Sequence, residues 1–326
     1  MFTDKTILIT GGTGSFGKNF AKFLLDNFNL KKLIIFSRDE LKQSQMEREL
    51  NDERLRFFLG DVRDLQRLQR AFYGVDIIVH AAALKQVPIL EYNPYEAVKT
   101  NILGSQNVID AAIDRGVEKV ILVSTDKAAQ PVNLYGSTKL CAEKLFVDGN
   151  SYGAKKTQFS CVRYGNVIGS RGSLVDILAK RKPHDKVYLT DERMTRFWIT
   201  LKQSFHLVLF ALRNMEGGEI FIPKAPSAKI VDFLDAMAPG TPREIIGIRP
   251  GEKLHEVLLT EQEARHSVEM GNYYVVLPEF SPKERFQKYF DFGKKLESGF
   301  RYGSENNKEW LTIEEIKGLL ENYQNQ

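Results

Sequence analysis

The first half of the chain alternates short apolar runs with longer amphipathic stretches. Thr6–Thr10, 33–36, 77–79 and Lys119–Val123 are runs rich in Ile, Leu and Val and too short for helices. They read as strands buried on both faces of a sheet. Between them, 16–27 and 94–115 carry apolar residues at helical spacing. Strands separated by helices imply βαβ units, a parallel sheet and right-handed crossovers. The pattern predicts an α/β protein, a Rossmann-like doubly wound parallel sheet with a smaller C-terminal lobe. After Arg163 the alternation loosens into a Gly-rich stretch, Tyr164 to Ser173, and 217–222 reads as a strand returning to the sheet. Beyond it, Pro223, Pro226, Pro239, Pro242 and Pro250 mark a loop-rich remainder.

Composition narrows the class. At 326 residues, 43% of them hydrophobic and 27% charged, the chain has ordinary globular chemistry and room for about two domains. Its 46 basic and 42 acidic residues leave a net charge of +4, with the signs interspersed. That balance is no nucleic-acid signature and suits a small anionic ligand equally well. Two cysteines, Cys141 and Cys161, with no His/Cys ligand spacing, argue against a disulfide framework and a metal site. No apolar run approaches a membrane span, and a strand pattern begins almost at Met1. The expectation is a soluble, reduced, cytoplasmic protein.

Candidate chemistry begins after the first strand. Thr10-Gly11-Gly12-Thr13-Gly14-Ser15-Phe16-Gly17 opens the first helix, where glycines allow a tight turn and close backbone approach to a pyrophosphate. The spacing T-G-x-x-G-x-x-G resembles the fingerprint of the extended short-chain dehydrogenases. The second strand ends at Ser37-Arg38-Asp39. NAD sites of this kind place an acid at that strand end, whereas basic residues suit the 2′-phosphate of NADP. Ser37, Arg38 and Lys42 favour NADP; the alternative is a solvated charged surface. Residues 1–163 are therefore expected to form the NADP-binding domain, with the chain returning around 194–222. The blocks 164–193 and 223–326 would form the substrate-binding lobe and tail.

Tyr135 and Lys139 stand four apart, on one helix face. A lysine so placed can hold a nicotinamide ribose and lower the phenol's pKa, so that the tyrosine exchanges a proton during hydride transfer. Upstream, Ser124-Thr125-Asp126-Lys127 ends a strand, where open α/β sheets bind ligands. Retaining sugar-nucleotide 4,6-dehydratases carry Thr-Asp-Glu at this point, and here Lys127 replaces the glutamate.

Five segments together carry a closer resemblance: T-D-K-A-A-Q-P-V-N-L-Y-G-S-T-K from Thr125, H-A-A-A-L-K-Q-V-P-I-L-E-Y-N-P from His80, R-Y-G-N-V-I-G-S-R-G-S from Arg163, M-T-R-F-W-I-T-L from Met194 and I-I-G-I-R-P-G-E-K-L-H-E from Ile245. In this order they resemble the inverting UDP-N-acetylglucosamine 4,6-dehydratases of pseudaminic acid-type pathways, which serve surface and flagellar glycans. The resemblance implies that Gly11, Thr13, Gly14, Ser15, Phe16 and Gly17 line the NADP pyrophosphate. Ser37, Arg38, Asp39, Glu40, Leu41 and Lys42 would surround its 2′-phosphate, and Asp61 and Val62 its adenine. Ala81, Lys85, Tyr135 and Lys139 would lie toward the nicotinamide. Asp126, Lys127 and Tyr135 would be catalytic. Lys85, Leu103, Gly104, Asn166, Arg196, Arg249 and Glu252 would reach the UDP-sugar, with Arg249 and Glu252 on its phosphate and ribose. The stretch 174–190 is shorter than in relatives, with Asp176 where a proline is usual, so contacts from 173 to 190 depart from the pattern. His80 and His255 read as packed rather than catalytic.

These residues imply an NADP-dependent lyase that removes water from UDP-N-acetylglucosamine with inversion at carbon 5. Tyr135 would accept the carbon-4 hydroxyl proton, Lys127 would take the carbon-5 proton, and Asp126 would protonate the leaving hydroxyl at carbon 6. For Lys127 to serve as base, burial is expected to favour its neutral form. A UDP-sugar 4-epimerase shares the fold and Tyr135/Lys139 but needs no acid at carbon 6, and a non-catalytic NADP-binding sensor needs neither. The resemblance also implies a homo-oligomer.

Overall fold

A computed structural model describes residues 2–152, 156–181, 186–280 and 282–324. Six strands, β1 (Thr6–Thr10), β2 (Lys32–Ser37), β3 (Leu55–Leu59), β4 (Ile77–His80), β5 (Lys119–Val123) and β6 (Gln158–Val162), lie parallel in the order β3-β2-β1-β4-β5-β6. The order reverses beside β1, which opens a crevice at the strand ends there. β1 and β4 are buried along their whole length, around the apolar runs 7–9 and 77–79. Each large aliphatic side chain so enclosed contributes about 1.5–3 kcal/mol. The predicted helix at 16–27 is Ser15–Asn27. That at 94–115 is interrupted by a π-helical turn, Val98–Leu103, between Pro94–Ala97 and Gly104–Arg115.

The strand predicted at 217–222 is Ile220–Pro223, parallel to β6. Three further strands continue the sheet beyond it, Tyr273–Val276, Ser267–Met270 and Lys294–Lys295, making ten among the described residues. The block 223–326 is therefore split between sheet and lobe: Tyr273–Val276 pairs antiparallel with Ile220–Pro223 and covers an edge that would otherwise be open. Thr195–Ile199, inside the expected return segment, instead centres a small sheet between Asn166–Val167 and Ser227–Lys229. That small sheet has its own core, in which Trp198 stacks on Phe233 at 3.8 Å beside Ile168, Val175 and Ile316. Of the shortened stretch, Leu174–Ala179 is a helix capped by Ser173 and Val187–Leu189 pairs with Arg243–Ile245, while 182–185 lie outside the described residues. Among the described residues no helix is long and apolar enough to cross a membrane.

Candidate active site

β1 delivers the chain to Gly11, whose φ of 65° and close approach to β4's exit admit only glycine; a Cβ there would sit 2.8 Å from the Ala82 backbone. Gly17 packs equally tightly, its Cβ position 2.6 Å from Gly12 Cα, and this fixes the helix Ser15–Asn27 against the loop. Gly14 caps that helix without a side-chain hydrogen bond, so its first N–H groups remain open to an anion. A cavity of about 700 Å³ runs from this loop past Ser37, Arg38, Asp39 and Lys42 to Asp61, Val62 and Ala81.

The second strand's end is more tightly wired than its sequence indicates. The Gln43 amide, buried, donates to Ser37 Oγ, Ser37 O and Phe58 O, holding the hydroxyl in place; sequence reasoning missed it because Gln43 reads as an exposed helix position. Asp39 caps the next helix and pairs with Lys42, whose hydrogen bond holds the Asp39 carboxyl below its ordinary range. Arg38, half-exposed, lies 3.6 Å from Asp61. Glu40 and Leu41 are not among the lining residues: they begin the helix Glu40–Leu50, and Leu41 is 64% exposed. Phe16 turns its ring inward onto Phe20 and Phe205, leaving only its backbone for a ligand. The Ser15 hydroxyl accepts from the Arg171 amide, and the Lys85 ammonium donates to the Arg171 carbonyl, so both tie the loop to the lobe.

At the end of β5 the chain forms a short turn, Asp126–Ala128, capped by Thr125. The helix Leu134–Tyr152 packs against this turn so closely that a Cβ on Gly136 would lie 2.1 Å from the Lys127 carbonyl. The Tyr-Gly pair thus brings Tyr135 alongside Asp126 and Lys127. Asp126 is fully buried; its Oδ1 accepts from Thr125 Oγ1 at 2.9 Å and Lys127 Nζ at 3.0 Å, while Oδ2 has no hydrogen-bond partner among the described residues. Burial raises its carboxyl pKa against the opposing pull of Lys127.

Two expectations are corrected at this point. Burial alone would lower Lys127, but Asp126 on one side and Glu256, 3.4 Å away, on the other outweigh it and raise the ammonium above its ordinary value. The Tyr135 phenol is pushed up to about 12 by burial, with Lys127 and a hydrogen bond to Thr125 only partly opposing. The Lys139 ammonium donates to Val123 O at 2.8 Å. Burial lowers Lys139 itself to about 8.

A second cavity, about 1010 Å³, opens in front of Lys127 and is lined also by Asn133, Asn166, Arg196, Arg249, Glu252 and Glu256, with Leu174, Ile177, Tyr188 and Leu234 as an apolar wall. Arg249 and Glu252 face each other at 3.9 Å on its rim. Arg196 borders the cavity but spends its terminal nitrogens on Thr195, Leu254 and Lys253 carbonyls and on Met194 Sδ, so it holds the 253–256 loop rather than a ligand. Leu103 and Gly104 do not reach the cavity, because the π-helical turn leaves Leu103 48% exposed and seats Gly104 under Val62. His80 is enclosed between Thr10 Oγ1 and Ser105 Oγ, stacked on Phe146, and lowered to about 3 by burial; His255 bonds Thr195. Among the described residues no group of three or more His, Cys, Asp or Glu side chains could hold a metal ion.

A Rossmann-like sheet with a glycine loop at its switch point and a Tyr/Lys helix beside it defines a member of the extended short-chain dehydrogenase superfamily. A family model described as "Polysaccharide biosynthesis protein" matches residues 7–278, and the chain belongs to that family. It is 49% identical, over 98% of both chains, to a UDP-N-acetylglucosamine 4,6-dehydratase (inverting) of Campylobacter jejuni. It is 41% identical to a UDP-glucose 4-epimerase of Rickettsia felis, over 99% of this chain and 97% of that one. Among solved structures it resembles Pen from Bacillus thuringiensis, with a TM-score of 0.91 and 36% identity over 99% of each chain.

Proposed function

We propose that this enzyme removes water from UDP-N-acetylglucosamine across carbons 4 to 6 with inversion at carbon 5, giving a UDP-4-keto-6-deoxy-L-hexosamine. The observation that carries the reading is the Asp126–Lys127 pair, held beside Tyr135 at the mouth of the larger cavity. An acid and a base on adjacent residues match an elimination, in which one proton leaves carbon 5 and another joins the departing hydroxyl. The Campylobacter relative carries the same activity in its name and aligns over nearly the whole chain.

The glycine cradle, the open helix terminus and the 700 Å³ cavity fit a dinucleotide, and Ser37, Arg38 and Lys42 favour its 2′-phosphate, hence NADP. A nicotinamide held there would supply reversible hydride acceptance. Around it, Lys139 orients the ribose and Tyr135 takes the carbon-4 hydroxyl proton. Lys127 removes the carbon-5 proton, Asp126, which burial inclines to hold a proton, gives its own to the departing carbon-6 hydroxyl, and a proton entering carbon 5 from the opposite face completes the inverted product. Arg249 and Glu252 on the cavity rim suit the diphosphate and ribose of UDP. Two separate cavities support a division into an NADP-binding part and a substrate-binding lobe, and a cytoplasmic homo-oligomer feeding a pseudaminic acid-type glycan completes the proposal.

A UDP-sugar 4-epimerase is the second reading, favoured by the Rickettsia relative. Incubation with UDP-N-acetylglucosamine separates the two. Dehydration gives a product one water lighter with an L-configured 4-keto sugar, whereas an isomer of unchanged mass would replace this proposal with the epimerase.

A further inference from the structure

Glu256 belongs to none of the expected site residues, yet it is 2% exposed and borders the cavity in front of Lys127. Its Oε1 lies 3.4 Å from Lys127 Nζ, and Asp126 Oδ1 lies 3.0 Å from the same ammonium. The lysine therefore stands between two buried carboxylates. Among the described residues, one oxygen of each, Asp126 Oδ2 and Glu256 Oε2, has no hydrogen-bond partner.

The two acids are held differently. Among the described residues, Lys127 is the one cation within ion-pair distance of Asp126. Glu256 also has Arg196 Nε at 3.8 Å and Lys253 Nζ at 3.7 Å, and Arg196 grips the Lys253 and Leu254 carbonyls that set its loop. The neighbouring His255 ring is turned away onto Thr195. Two carboxylates sharing one lysine do not both ionise easily, and the one with more cations keeps its charge. The directions agree: burial raises Asp126 and Glu256 adds to that rise, whereas three cations carry Glu256 below its ordinary value despite burial.

We infer that Glu256 is a positioning residue that acts through its neighbours, a fixed negative charge that keeps the proton on Asp126 and strengthens Lys127 as a base. This rests on the dehydratase reading and adds to it the group that sets both protonation states. The proton count closes. The resting ammonium of Lys127 passes one proton to Asp126 along their 3.0 Å hydrogen bond, which gives the reactive arrangement of a neutral Lys127, a protonated Asp126 and an ionised Glu256. The lysine lone pair then forms an N–H bond with the carbon-5 proton, and the Asp126 O–H bond breaks as its proton leaves with the carbon-6 hydroxyl as water. Lys127 ends as an ammonium between two carboxylates, and the cluster keeps one net negative charge throughout. Glu256 stabilises that developing ammonium. The other charged or titratable groups facing the cluster are Arg196, Lys253, Lys85 and the Tyr135 phenol.

The test is the pH profile of kcat for the NADP-loaded enzyme with UDP-N-acetylglucosamine, together with carbon-13 NMR of the Asp126 carboxyl without substrate, assigned by difference from Asp126→Asn. Glu256→Gln removes the charge at constant size. Both limbs of the profile should move to lower pH by on the order of one unit, and the Asp126 titration with them. Glu256→Asp should keep the limbs in place, and Lys253→Met, which strips a cation from the cluster, should move them to higher pH. A Glu256→Gln enzyme that loses rate with its limbs unmoved, or a Glu256→Asp enzyme that behaves like it, overturns the inference. If UDP-N-acetylglucosamine is not dehydrated but the Asp126 titration still shifts, the charge role stands and the substrate reading falls. An Asp126 titration that does not move defeats the inference whatever the activity.

Discussion

Arg38 shows what a single position can decide. It stands just after β2 beside Asp61 and Val62 in the smaller cavity, half-exposed and only loosely paired with Asp61. Its guanidinium is free to turn toward a 2′-phosphate, whereas Lys42 shares its charge with Asp39. Arg38→Ala should therefore weaken NADP by about ten- to a hundredfold, as expected for a charge-assisted hydrogen bond of about 1.5–3 kcal/mol, with little change for NAD. Fluorescence titration of both cofactors checks this, and equal loss for the two would show that Arg38 serves the fold through Asp61. The glycines, Tyr135, Lys139 and the Asp126–Lys127 pair were legible because each sits at a fixed place on a strand–turn–helix unit. Glu256 and Gln43 were not, since their partners lie 129 and 6 residues away or across strands, and only folding brings those partners together.

At the scale of elements, the strands that sequence reading named are those buried on both faces. β3 escaped notice because it is the sheet's edge and half-exposed, so its residues mix Arg56 with phenylalanines. β6 hides behind Ser160, a polar residue buried by its hydrogen bond to Glu219. One buried junction ties the helix Leu134–Tyr152 to the sheet and the C-terminal segment. Arg163, fully buried after β6, donates to both oxygens of Glu143, one turn beyond Lys139, and to both oxygens of Glu263. It also donates to Leu258 O, so helix, sheet and C-terminal segment meet on one guanidinium. Removing one partner leaves a buried charge poorly compensated, and Glu143→Ala should cost about 3–5 kcal/mol in urea unfolding. A loss under about 1 kcal/mol would mean that Glu263 alone suffices.

Across the whole molecule, the fold class was readable from alternating strands and helices, but the division of the C-terminal half was not. Strands such as Ser267–Met270 are short and mixed in polarity, and only pairing tells sheet from lobe. Global stability carries a pH signature from β4. His80 stays neutral in the fold down to about 3, against an unfolded value of 6.5, so the unfolded chain binds its proton first as pH falls. Its contribution is complete above pH 6.5 and is lost on acidification toward 3, opposed in part by the raised Asp126. Between these values His80→Asn should flatten the slope of unfolding free energy by about 1.4 kcal/mol per pH unit, and an unchanged slope would contradict the buried neutral ring. The central claim, that the Asp126–Lys127 pair performs an inverting elimination, is tested most directly by turnover of UDP-N-acetylglucosamine in deuterium oxide. The wild type should place deuterium at carbon 5 of a dehydrated L-configured product, while Lys127→Ala, still binding cofactor and UDP-sugar, should place almost none. Comparable deuterium incorporation by the variant would contradict the account and assign the base to another group.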